Sequence, residues 1–337
     1  MIRRLIPVLS AVLVLALALA VSACGEKHDQ TSASAHRSLS LMLDYLPNPD
    51  HVGLYEALSQ GQFSKAGLDV HVQTPSDPAA PLKLLAAGRV DLAISYEPEL
   101  LLARDKGEKL VSVAAIVQQP LTSLMTLKKG VRSVADLRRK RVGTAGIPYQ
   151  SSYLTTILQH AGIPRDQVKE TNVGFDLVPA MLSGKVDATL GAYWNVEAIQ
   201  LARARKHPRV WRMQQLGVPT YDELVLVARR DTLASRGDDV RAFVQALARG
   251  YAAAQADPAA ATDALVKAAP DLGRGFALAS VRASLPAFRP PAGKPFGWQD
   301  PAQWTAYGNW MLANGLLGTQ PHASTAVTDE FLAGQGS

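Results

Sequence analysis

The chain writes one pattern twice. Leu85-Ala86-Ala87-Gly88-Arg89-Val90-Asp91 and Met181-Leu182-Ser183-Gly184-Lys185-Val186-Asp187 share an apolar helical run, a glycine, a basic residue and Val-Asp. A glycine after a helical run is a C-cap signal, because only glycine takes the left-handed conformation there without strain. The apolar residues after Val-Asp read as a short buried strand. Each copy then ends in a polar, aromatic cluster: Ser95-Tyr96-Glu97 in the first, Tyr193-Trp194-Asn195 with Glu197 in the second. A helix, cap, strand and polar cluster built twice predict two similar α/β lobes offering side chains to one cleft. That geometry suits a receptor that closes on a small molecule.

The 337 residues suffice for two lobes of ordinary size. Charged residues make up 19% and hydrophobic ones 47%, the balance of a folded globular protein. A net charge of +6, with no long basic run interleaved with aromatics, speaks against nucleic acid as a partner. Arg3 and Arg4 precede an almost unbroken apolar stretch from Leu5 to Val21, and Val21-Ser22-Ala23-Cys24 follows. Residues 1–23 therefore read as a signal peptide. Cys24, the chain's single cysteine, sits where a bacterial lipobox places the acylated residue. A membrane-spanning anchor and a chance cysteine in an ordinary signal peptide are the plainer alternatives for this stretch. Residues 24–37, rich in Ser, Lys, His and Gln, read as a flexible tether.

From Ser38 the order is strand, helix, strand, helix, strand, the signature of a sheet flanked by helices. Asp44-Tyr45-Leu46-Pro47-Asn48-Pro49-Asp50-His51 is a loop by its prolines and Asn/Asp content. The pattern restarts near Met125, and Glu223–Ala228 is an uninterrupted apolar strand. The chain is expected to cross between lobes near 125–131 and 221–229. Lobe I then comprises 38–127 and 225–320, lobe II 128–224, and 321–337 a C-terminal tail. The connector from Pro286 to Gly297 reads as an ordered loop within reach of the cleft.

The sequence resembles the substrate-binding proteins of ABC importers for thiamine pyrimidine precursors, the ThiY-like group. The resemblance rests on Asp44-Tyr45-x-Pro47-Asn48-x-x-His51-x-Gly53, on Gly88-x-Val90-Asp91-x-x-x-Ser95-Tyr96, and on Gly191-x-Tyr193-Trp194-Asn195-x-Glu197. Tyr45 stands where many relatives carry Trp. The resemblance implies a two-lobed type II periplasmic-binding-protein fold with a two-strand hinge. It also implies a 4-aminopyrimidine ligand, a monomer outside the cytoplasm held to the membrane through Cys24, and an ABC permease with its ATPase as partners. No cofactor or metal is implied.

The residue chemistry fits such a ligand. Tyr45, Tyr96, Tyr193 and Trp194 can offer aromatic faces to a flat heteroaromatic ring, each worth about 0.5–1.5 kcal/mol beyond burial. Glu197 can accept from an exocyclic amine and a protonated ring nitrogen together. Asn48, Asn195, Ser95 and His51 can serve the remaining donors and acceptors. Plainer readings stand beside these. Tyr193 and Trp194 could pack a lobe core, and Glu197 could complement a helix dipole. His51 could be a loop residue, Glu97 and Glu99 solvated acids, and Asp91 and Asp187 structural.

Two rival functions share the fold. Alkylsulfonate, taurine or nitrate receptors bind anions and would want cations or helix N-termini in the cleft. Pyrimidine-precursor synthases carry a pyridoxal-phosphate lysine after the first Val-Asp strand, where this chain has Ser95, and a cysteine-rich run that it lacks. No nucleophile elbow, Walker loop or His/Cys metal spacing appears, so the chain reads as a receptor and not an enzyme.

Overall fold

The computed structural model describes residues 36–335; the segments read as signal peptide and most of the tether, with Cys24, lie outside the described residues. In chain order the elements are β1 (Arg37–Met42), α1 (Val52–Ser59), α2 (Gln62–Lys65), β2 (Leu68–Gln73), α3 (Pro81–Ala86), β3 (Leu92–Ser95), α4 (Glu97–Asp105), β4 (Leu110–Val117) and β5 (Thr122–Thr126). There follow β6 (Arg141–Thr144), α5 (Pro148–His160), β7 (Lys169–Asn172), α6 (Leu177–Leu182), β8 (Ala188–Tyr193), α7 (Glu197–Arg203) and β9 (Arg209–Arg212). The chain returns through β10 (Leu224–Arg229) to α8 (Arg230–Ala256), α9 (Pro258–Ala268), α10 (Arg274–Ser284) and α11 (Pro301–Ala313).

These form two five-stranded mixed sheets of the same topology, β2-β1-β3-β10-β4 and β7-β6-β8-β5-β9. In each, the first three strands pair in parallel and the fourth is inserted antiparallel. The inserted strands are the first one after each crossing, β5 into the second sheet and β10 back into the first. β10 is buried along Leu224–Ala228, as a strand covered on both faces must be.

The repeat does the same work in both sheets. Gly88 and Gly184 take φ of +69° and +73°, capping α3 and the turn after α6. Asp91 accepts from the Ser40 amide at 2.8 Å, and its own amide returns a bond to the Ser40 carbonyl. Asp187 does likewise with Arg141, at 2.9 Å and 2.8 Å. Each aspartate thereby locks its strand to the neighbouring one, the structural reading given above.

The boundaries differ from expectation at the first crossing. Thr122–Thr126 pairs with β8 and β9, so the chain leaves the first sheet at 118–121 and not near 125–131. An antiparallel insertion is a long-range pairing that local sequence does not announce. The Pro286–Gly297 connector docks on β4, where Gly297 pairs with Ala115, and contributes no residue to the cleft. Residues after 320 are also packed down: Val327 bridges to Ser112, and Phe331 and Leu332 are buried.

Gly53 and Gly250 permit a close crossing of α1 and α8. A Cβ on Gly53 would lie 2.3 Å from the Tyr251 ring, and one on Gly250 would lie 2.1 Å from the Gly53 carbonyl. This approach lets the Tyr251 hydroxyl reach the Asp50 carbonyl at 2.7 Å, fixing the turn that precedes α1. Among the described residues no helix is long and apolar enough to cross a membrane.

Candidate functional site

The lobes meet over a cavity of about 250 Å³. Most of its wall comes from segments just past the C-terminal ends of parallel strands, where α/β sheets place their ligands. The loop after β1 brings Asp44, Tyr45 and Asn48, and the end of β3 brings Tyr96. From the second lobe, the segment after β6 supplies Tyr149 and Gln150, that after β7 Phe175, and the end of β8 Tyr193 and Glu197. Leu272 and Phe276, before and within α10, complete an apolar rim with Leu177, Val178 and Pro179. The rim is already drawn together: the Tyr45 ring meets Phe175 edge-on at 4.7 Å, and its hydroxyl lies 3.4 Å from the Gly174 carbonyl.

Asp44 is the most tightly held polar group on this wall. Its two carboxylate oxygens receive the Tyr96 hydroxyl and His51 Nε2, both at 2.8 Å. His51 Nδ1 accepts from the Asn48 amide at 3.2 Å, which orients the ring behind Asp44.

Glu197 opens α7 and faces the cavity. One oxygen accepts from the Tyr193 amide at 2.6 Å. Burial pushes its carboxyl up to about 7, opposed by the hydrogen bonds it accepts from the Tyr193 and Glu197 amides and reinforced by Asp50. Tyr193 also has its phenol raised by burial and by Glu223 and neighbouring tyrosines. Gln150 lies flat against Gly191, whose φ of +119° and missing Cβ make room for it, and accepts from the Ala145 amide at 2.8 Å. The wall thus carries two carboxylates, several aromatic rings and three carboxamides, and no Arg, Lys or His side chain. Among the described residues no His, Cys, Asp or Glu group is assembled to hold a metal ion.

Of the residues singled out from sequence, the structure brings Tyr45, Asn48, Tyr96, Tyr193 and Glu197 to the cavity. Asn48 comes with its carboxamide committed, accepting from the Asp50 amide at 2.8 Å and donating to the Leu46 carbonyl at 3.2 Å. The other four are held behind the wall. His51 is buried as the support of Asp44. Ser95 points away to Glu99 at 3.2 Å. Trp194 donates to the Pro120 carbonyl at 3.1 Å, with the Arg212 guanidinium 4.0 Å over its ring. Asn195 is fully buried between lobes, on Asp50 and Ser284.

Glu97 and Glu99, offered above as solvated, are both buried. Burial and the nearby Asp222 raise Glu97, which accepts from the Asp222 amide at 2.7 Å. Burial pushes Glu99 up to about 7, opposed by Ser95.

Sequence reasoning passed over Asp44, Tyr149, Gln150, Phe175 and Phe276. The rule that placed Tyr193 and Glu197, applied to the ends of β1, β6 and β7, reaches the first four.

The model of the NMT1/THI5-like family matches residues 48–261. The chain belongs to the NMT1/THI5-like family. A formylaminopyrimidine-binding protein of Halalkalibacterium halodurans is 34% identical over 324 residues, covering 94% of this chain and 98% of that one. A putative thiamine biosynthesis protein of Haemophilus influenzae is 39% identical, covering 70% and 75%. A 4-amino-5-hydroxymethyl-2-methylpyrimidine phosphate synthase of Schizosaccharomyces pombe is 22% identical, covering 62% and 63%. Among solved structures, the alkanesulfonate-binding protein of Xanthomonas axonopodis pv. citri superposes with a TM-score of 0.68 at 20% identity, covering 86% and 98%. A Candida albicans protein described as having the generic periplasmic binding protein fold gives 0.65 at 16%, covering 87% and 96%. The fold is that of the periplasmic binding proteins, as the resemblance implies.

Proposed function

We propose that this NMT1/THI5-like chain is the extracytoplasmic receptor of an ABC importer, capturing a 4-aminopyrimidine precursor or salvage product of thiamine by lobe closure. The observation that carries this reading is the wall itself: aromatic rings from both lobes, two carboxylates and no cationic side chain. An aminopyrimidine presents donors and a basic ring nitrogen on one edge, which a carboxylate accepts in a charge-assisted pair. Glu197 is anchored by the Tyr193 amide at the cavity wall, and a carboxyl raised to about 7 shares a proton readily with a ring base. The full-length likeness to a formylaminopyrimidine-binding protein supports the same ligand class.

The alkylsulfonate, taurine and nitrate reading is disfavoured by Asp44 and Glu197, which would repel an anion. The synthase reading is disfavoured because no lysine stands on the wall. Acylation of Cys24 would tether the receptor beside its permease and ATPase. Membrane fractionation of wild type and Cys24→Ala tests that tether: release of the variant alone supports it, and equal partitioning contradicts it.

Titration of hydroxymethylpyrimidine into wild type, Glu197→Gln and Glu97→Gln tests the site. Glu197→Gln removes the charge from a charge-assisted pair and should weaken binding by about 10–100-fold. Glu97 is buried off the wall, so its glutamine variant should bind within a few-fold of wild type. Equal effects would remove Glu197 from the role.

A further inference from the structure

Asn195 joins the lobes at a point off the cavity wall. It lies in the turn between β8 and α7, two residues from both Tyr193 and Glu197, which that turn presents to the cavity. Its side-chain amide donates to Asp50 at 2.6 Å and to the Ser284 hydroxyl at 2.7 Å. Its carbonyl accepts from Ser280. Asp50 belongs to the turn before α1, and both serines to α10, so all three partners come from outside the second lobe. The Ser284 hydroxyl also donates to the Ser280 carbonyl at 3.0 Å. Asp50 Oδ2 and Asn195 Oδ1, both buried, have no hydrogen-bond partner among the described residues. Such a pair costs free energy and would regain water if the lobes parted.

We infer that Asn195 is a positioning residue, an interlobe tie that holds the Tyr193–Glu197 turn in its binding geometry only while the lobes are closed. The inference rests on the receptor reading above. Because the Tyr193 amide is bonded to Glu197, the turn around Asn195 moves as one piece. Loosening Asn195 displaces the carboxylate and frees the second lobe together. The ligand-free protein samples the closed, tied state, and a bound ligand is held behind it, so loss of the tie acts on escape and not on entry. The two orphaned oxygens make it a weak tie, suited to a receptor that must release its cargo.

Stopped-flow binding of 4-amino-5-hydroxymethyl-2-methylpyrimidine to wild type, Asn195→Ala and the milder Ser284→Ala reads this directly. The expected result for Asn195→Ala is dissociation about tenfold faster, with the association rate within about twofold of wild type. Ser284→Ala should give a smaller effect of the same kind. A residue that only supports the fold would leave the two rates unchanged, or lower the active fraction without altering the dissociation rate. Either result overturns the inference. Urea unfolding of the ligand-free single and double variants supplies a test without ligand. Coupling between the two substitutions supports the tie, and additivity within error contradicts it. If wild type takes up no aminopyrimidine, the receptor reading fails, and the unfolding cycle alone decides the tie.

Discussion

At the scale of single residues, the site is supported by a side chain that never touches its cavity. His51 holds Asp44 from behind and is itself oriented by the Asn48 amide. Replacing it with alanine leaves the buried Asp44 carboxylate with the Tyr96 hydroxyl alone. His51→Ala should therefore cost about 3 kcal/mol of stability, read as a lowered urea midpoint at unchanged slope. A midpoint within error of wild type would show that Asp44 is otherwise satisfied. His51 was legible in sequence as part of a ligand loop, but its place behind the wall was not. A loop rich in Pro, Asn and Asp announces a turn, while the direction of each side chain depends on which neighbour it caps. Asn48 illustrates this, since its carboxamide is consumed by its own turn. Glu197 was legible because it follows a strand end and opens a helix. The same logic, carried to Tyr149 and Gln150 after β6, would have found two more wall residues.

At the scale of elements, the repeated helix, glycine and Val-Asp strand could be read directly, because a C-cap and a buried strand are local features. The antiparallel strands β5 and β10 could not be placed so well, because each pairs with residues far along the chain. Helix contacts were likewise hidden. Gly53 appeared only as part of a family motif, whereas the structure shows it passing Tyr251 at a distance no side chain tolerates. Gly53→Ala should force α1 and α8 apart and cost about 1–3 kcal/mol. It should also weaken ligand binding, since Tyr251 anchors the turn carrying Asp50. Thermal unfolding and calorimetry on the same preparation test this. A variant as stable as wild type would mean that the helices part without cost.

At the scale of the whole molecule, the fold buries an unusual set of acids. Asp50, Glu99, Glu197 and Asp222 all have carboxyl groups pushed up to about 7, chiefly by burial. In the unfolded chain such groups titrate near their ordinary values of about 4. The folded protein therefore binds more protons between those limits, and the stability they contribute is complete below about pH 4. It is lost as the pH rises through about 7. The melting temperature should fall between pH 5 and pH 8, and Asp50→Asn combined with Glu99→Gln should flatten that slope. A rise over the same range would contradict the burial of these acids. The two-sheet architecture followed from the repeat; the acids did not, since no local pattern marks a glutamate at a helix start as buried.

A cavity walled by aromatics and two carboxylates should select an aminopyrimidine over an anion. Isothermal titration calorimetry of the purified protein with formylaminopyrimidine, hydroxymethylpyrimidine, thiamine and an aliphatic sulfonate puts that choice to the molecule itself. Saturable heat is expected with at least one of the aminopyrimidines and none with the sulfonate. Saturable heat with the sulfonate, and none with any aminopyrimidine, would contradict that selection.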